Sequence, residues 1–135
     1  MKFNEKSVYA KISMMNFLYV GLGGALGAMF RYAISLFPVK VEFPILTSVT
    51  NVLGAIFIGL IIGIAYRKEE MSQGMVLFLK VGICGGFTTF STFSLEMFNL
   101  IEKGKIGMGI LYAVLTVSFC IVGVYLGQII ANRVV

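Results

Sequence analysis

The sequence predicts an all-α integral membrane protein, a single domain of four spanning helices with the third broken at mid-membrane depth. Three observations carry this. The chain has 135 residues, 59% of them hydrophobic and 13% charged, with a mean hydropathy of +0.96. A water-soluble domain of that length could not bury so much apolar side chain. The apolar residues fall into four runs, each long enough to cross a ~30 Å hydrocarbon core at 1.5 Å per residue. The third run is interrupted by Gly85-Gly86-Phe87-Thr88-Thr89-Phe90-Ser91-Thr92-Phe93-Ser94. Adjacent glycines weaken a helix by about 1 kcal/mol each. Backbone freed by a break in lipid must find partners in protein or in a wet cavity, so such a break points to an ion or substrate site.

Residues 1–15 form a basic amphipathic lead-in suited to the membrane surface. The first span covers about 16–37. Gly23 and Gly27 give it a small-xxx-small face for close helix contact. Arg31 interrupts its apolar run at a cost of at least ~2.5–3.5 kcal/mol near the bilayer centre. Two roles fit it: an anchor snorkelling to the far surface, or the cation of a wet vestibule. Pro38 and Pro44 bracket a short loop carrying Lys40 and Glu42.

The second span covers about 44–66. Thr47, Asn51, Gly54 and Ile58 share one of its faces. An unpaired amide in lipid is costly, so Asn51 faces protein or water. It serves either as glue between helices or as an N–H donor to an anion. The third span covers about 75–101. Phe90 and Phe93 stand three apart, on one helical face, and their positive ring edges can attract an anion without binding it hard. Lys80 lies near its start and can snorkel; Glu96 lies near its far end, as a carboxylate at the wet surface. The fourth span covers about 106–131. Tyr112 and Thr116 lie four apart, with Cys120 next on that face. This hydroxyl stripe can pass a hydrated ion along or satisfy neighbouring backbone.

Histidine is absent, which removes the commonest metal ligand and pH switch. Cys84 and Cys120 have no short spacing and form no zinc or disulfide signature. Phosphate-loop and hydrolase motifs are also missing, so the chain is not read as an enzyme. The net charge of +5 is scattered between apolar runs and is not a nucleic-acid patch. Lys2, Lys6, Lys11, Arg67, Lys68, Lys80 and Arg133 fall on one side of the membrane, and Arg31, Lys40, Lys103 and Lys105 on the other. That bias favours cytoplasmic termini but is weak enough to allow insertion both ways.

These residues together resemble the Fluc, or CrcB, family of bacterial fluoride channels. The likeness covers nearly the whole chain. It rests on Gly23-Gly24-Ala25-Leu26-Gly27-Ala28 with Arg31-Tyr32, on Asn51 with Gly54, and most specifically on the string from Cys84 to Ser94. The resemblance implies a multi-pass protein of the bacterial inner membrane, working as an antiparallel dual-topology dimer with itself or a paralogous subunit. It implies two fluoride pores and one central structural sodium ion. Phe90 and Phe93 resemble the pore phenylalanines, Asn51 the pore amide, and Arg31 the vestibule arginine. Ser91, Thr92, Tyr112 and Thr116 resemble the hydroxyl track, which Cys120 interrupts. Gly85 and Thr88 resemble the positions whose carbonyls hold sodium. The alternative is a small proton-coupled multidrug exporter, which needs a carboxylate within the membrane; Glu96 is the candidate. A non-transporting assembly subunit is the third reading.

Overall fold

The computed structural model describes residues 5–67 and 71–134, with side chains from Met14 onward. The described residues are all helical or loop: α1 (Glu5–Ser35), α2 (Ile45–Arg67), α3 (Gln73–Val76), a π-helical segment (Leu77–Cys84), α4 (Gly85–Phe87), α5 (Phe90–Glu102) and α6 (Ile106–Val134). Four stretches are long and apolar enough to cross a membrane: Met14–Ser35, Ile45–Arg67, Gln73–Glu102 and Ile106–Val134.

α1 runs without a break from Glu5, because no glycine, proline or capping pair separates residues 5 and 16. The surface character expected for 1–15 depends on side chains outside the described residues, as does the charged loop at 68–70. α1 stops at Ser35, slightly before Phe37. The Leu36 and Phe37 N–H groups turn back to the carbonyls of Ala33 (3.3 Å) and Ile34 (3.1 Å). Pro38 then bars further helix. α5 and α6 join through Gly104, at φ 73°. The Lys105 N–H reaches the Leu100 carbonyl at 2.8 Å, closing the helix end through a left-handed residue that glycine adopts at little cost.

The third span is broken, as the sequence predicts, but not at its glycine pair. Gly85 and Gly86 are helical. The extended residues are Thr88 (φ −80°, ψ 156°) and Thr89 (φ −149°, ψ 115°), midway along the span. Gly86 has another task. A Cβ there would collide with the carbonyl of Gly24, so its helical shape is held by contact with α1.

Glycine seams join the helices in two pairs. Along α1, a Cβ at Gly23 or Gly27 would strike the carbonyl of Phe78 or Ile83. Between α2 and α6, a Cβ at Gly59 or Gly127 would strike the carbonyl of Val124 or Ile56. Lipid tails are as apolar as the side chains, so attraction between the helices comes from this dense backbone contact. The break then lets α5 leave α1 and pack on α6. Many large apolar residues, among them Phe57, Phe98, Val114 and Ile121, are exposed on the outside, the surface a lipid-facing helix presents.

Candidate functional site

The site is built around the break. Asn51 holds it: its amide donates to the Thr89 carbonyl at 3.1 Å, and its oxygen accepts from the Thr89 N–H at 2.8 Å. A single side chain thus replaces both bonds that an uninterrupted helix would have given Thr89. Thr89 also caps α5, its hydroxyl accepting from the Thr92 N–H at 3.1 Å and donating to the Thr92 hydroxyl at 3.0 Å. Ser91 is exposed and lies 3.4 Å from the Thr89 hydroxyl. On the other side of the break, Thr88 closes onto the Cys84 carbonyl through its N–H (3.0 Å) and its hydroxyl (2.8 Å). Among the described residues no hydrogen-bond donor reaches the carbonyls of Gly85 and Thr88. Gly85 is exposed, with open space where a Cβ would be.

Arg31 turns into the bundle and is half-buried. Its Nε donates to the Gly86 carbonyl at 3.1 Å, tying α1 to the residue just before the break. It lines a small cavity of about 120 Å³ with Thr47, Thr50, Thr89 and Thr92. An always-charged guanidinium beside hydroxyl side chains is a setting that favours an anion.

A larger cavity of about 410 Å³ opens on the other side of the break. Asn51, Gly85, Thr88, Phe90, Phe93 and Thr116 all line it, as do Cys120 and Lys80. The rings of Phe90 and Phe93 lie 5.6 Å apart, tilted by 35°. Phe93 packs at 5.0 Å on the buried ring of Tyr112, whereas Phe90 is 79% exposed. The helix-face prediction for the pair therefore holds, but only one of the two rings is seated within the chain.

The hydroxyls do not form one continuous line. Thr116 is buried and shares a 2.7 Å hydrogen bond with Ser48 of α2. Tyr112 is fully buried and donates to Glu96 Oε2 at 2.7 Å, while Thr47 donates to Glu96 Oε1 at 2.8 Å. Glu96 is thus not a carboxylate at the wet surface; it is half-buried and binds α2, α5 and α6 together. The sequence reading missed this role and the clamp partner Thr89. The signal was present: Thr47 and Asn51 share a face, and Glu96 lies seven residues, two turns, beyond Thr89.

Four spans, a mid-membrane break pinned by an asparagine, and an arginine–threonine cavity define a polytopic membrane protein whose polar groups converge where the backbone is open. The family model described as "CrcB-like protein, Camphor Resistance (CrcB)" matches residues 18–128. The chain covers nearly the full length of its curated relatives. A "Fluoride-specific ion channel FluC" of Ruminiclostridium cellulolyticum is 44% identical over 124 residues, 90% of this chain and 95% of that one. Proteins of the same name from Azobacteroides pseudotrichonymphae (37% over 116 residues, 84% of this chain and 93% of that one) and Clostridium perfringens (44% over 118, 85% and 92%) are also similar. The chain belongs to the CrcB-like family.

Proposed function

We propose that this chain is a fluoride-specific channel that lets fluoride leave the cell passively, and that it works as an antiparallel pair of copies, or with a paralogous subunit. One observation carries the reading: the break brings Asn51, Phe90, Phe93 and Thr116 onto a single cavity, in a chain whose relatives are named for fluoride conduction. Fluoride is small and strongly hydrated. The remaining Asn51 N–H and the Thr116 hydroxyl replace water on it, and the ring edges of Phe90 and Phe93 add attraction too weak to trap it. Conduction requires that balance between entry and release. The cavity beside Arg31 serves as an entry vestibule.

A second copy is supported by what one chain leaves open. Phe90 projects outward, and the Gly85 face has no neighbour. The carbonyls of Gly85 and Thr88 fit a hard cation such as sodium, which prefers oxygen ligands; two copies supply four such oxygens. A cation held there offsets the cost of the unpaired carbonyls and stiffens the break. The exporter reading rested on Glu96, and the hydrogen bonds from Thr47 and Tyr112 give that carboxylate a binding role between helices instead.

Proteoliposomes loaded with fluoride test the reading. Purified protein should release fluoride and retain chloride. Phe93→Ile should lower the fluoride rate at least tenfold while the protein still elutes as the same assembly. Absence of fluoride release from well-folded wild-type protein would overturn the reading.

A further inference from the structure

Lys80 lines the large cavity but has no role in the arrangement described above. It stands in the π-helical segment, eight residues before Thr88. At about 1.5 Å per residue its Cα lies roughly 10–12 Å from the break. With the break near mid-membrane, that is inside a hydrocarbon half-thickness of about 15 Å. A lysine there is costly unless it reaches water or faces a wet cavity. Lys80 is exposed and lines the 410 Å³ cavity, whose walls are otherwise mostly apolar. It is the one ionisable side chain on that wall apart from the thiols of Cys84 and Cys120. The charged pair found among the described residues, Glu42 with Lys105, does not involve it.

The backbone places it there. At 3.6 residues per turn, positions 80 and 85 would point about 140° apart. The wider π turn brings positions four and five apart onto a common face, and Lys80, Cys84 and Gly85 all line the cavity. π segments of this kind recur at functional sites. Arg31 lines the small cavity and not the large one, so Lys80 is the one cationic side chain lining the large cavity to offset an anion losing its water.

We propose that Lys80 is the anion-recruiting residue of the large cavity, setting the local anion concentration where the pathway leaves the Phe90–Phe93 pair. This rests on the channel reading above and adds a specificity-determining residue to it. Cationic side chains lining a pore attract anions, and focused potentials raise encounter rates by ~10-fold or more in a way that salt screens.

The test compares wild type, Lys80→Met and Lys80→Arg in proteoliposomes across fluoride concentration, at low and high inert salt. Lys80→Met removes the charge from a largely apolar wall, so it should still assemble. Its rate at low fluoride should fall about 3–10-fold, converging on wild type at saturating fluoride, and the deficit should shrink at high salt. Lys80→Arg should restore the low-fluoride rate. If Lys80→Met fails to assemble, Lys80→Gln carries the same comparison. Equal rates for wild type and the neutral variant at every concentration would make Lys80 a membrane anchor and overturn the proposal. So would a deficit unaffected by fluoride, salt and arginine rescue. Wild-type protein that releases no fluoride defeats the channel reading itself, a distinct result.

Discussion

The two halves of the bundle are held by opposite means. Where α1 meets the first half of the third span, and α2 meets α6, the closest contacts set glycine against backbone at Gly23, Gly27, Gly59 and Gly127, and the side-chain hydrogen bonds beside them are few, Arg31 to Gly86 and Ser48 with Thr116. Where α5 meets α2 and α6, the contact is made by Asn51, Thr47, Glu96, Tyr112 and Phe93. The first kind of seam gains dense packing. The second carries hydroxyls, an amide and a carboxylate into the membrane, where each is costly unless paired. The glycine seams are scaffold, and they free the other half to keep polar groups at the break.

The largest expected effect sharpens that division at its rigid side. Gly127→Val would force a side chain into the Ile56 carbonyl and the Leu60 backbone. Overpacking costs about 1–3 kcal/mol even where neighbours can move, and backbone on both sides cannot. Folded protein should be lost, measured as the monodisperse fraction on gel filtration in detergent. Gly85→Ala is the control: nothing in the chain lies near its Cβ, so a single subunit should still fold. Any loss of assembly there would then report on the partner face and the proposed cation site.

The next effect lies on the polar side. Asn51→Asp replaces the N–H that meets the Thr89 carbonyl with an oxygen. Two acceptors would then face each other, and a new negative charge would sit on an anion route. Fluoride flux should fall at least tenfold, with much less loss of folded protein than Gly127→Val. A similar fall in both measurements would erase the distinction between the seams.

A smaller effect is expected at Glu96. Tyr112→Phe removes one of its two donors and leaves the ring stacked on Phe93. Breaking one hydrogen bond to a charged group costs about 1.5–3 kcal/mol, so thermal stability should fall by a few degrees. Thr47→Val should do the same. The double variant should lose more than the sum, because the carboxylate would then be left half-buried with neither donor.

These particulars also show what the sequence disclosed. The four spans and the glycine pairs at 23/27, 59/63, 82/86 and 123/127 were legible, because both depend on composition and spacing alone. So was the existence of a break. Its position was not. Local propensity points to Gly85-Gly86, yet contact with Gly24 keeps Gly86 helical, and Asn51 supplies the bonds that let Thr89 extend instead. Packing from another span overrode propensity at that point. The pairing of Glu96 was hidden for the same reason: its donors lie 49 and 16 residues away, and only the crossing of α5 onto α6 brings them near. The π winding that turns Lys80 toward the large cavity has no signature in residue type.

The smallest effect belongs to a contact outside both seams. Glu42, in the loop after α1, pairs with Lys105 at the start of α6. The hydrogen bond and charge of Lys105 hold the Glu42 carboxyl below its ordinary range. A carboxyl with a lowered folded pKa contributes stability that is present above its unfolded pKa and is lost as pH falls through the folded value. Glu42 is largely exposed to solvent, where such pairs contribute little and salt screens them. Glu42→Gln should therefore leave flux unchanged and shift the melting temperature by about a degree or less near neutral pH. Any difference from wild type should vanish once acid has protonated Glu42. A shift as large as that of Tyr112→Phe would mean that the Glu42–Lys105 loop contact, and not only the glycine and hydroxyl seams, holds the bundle together.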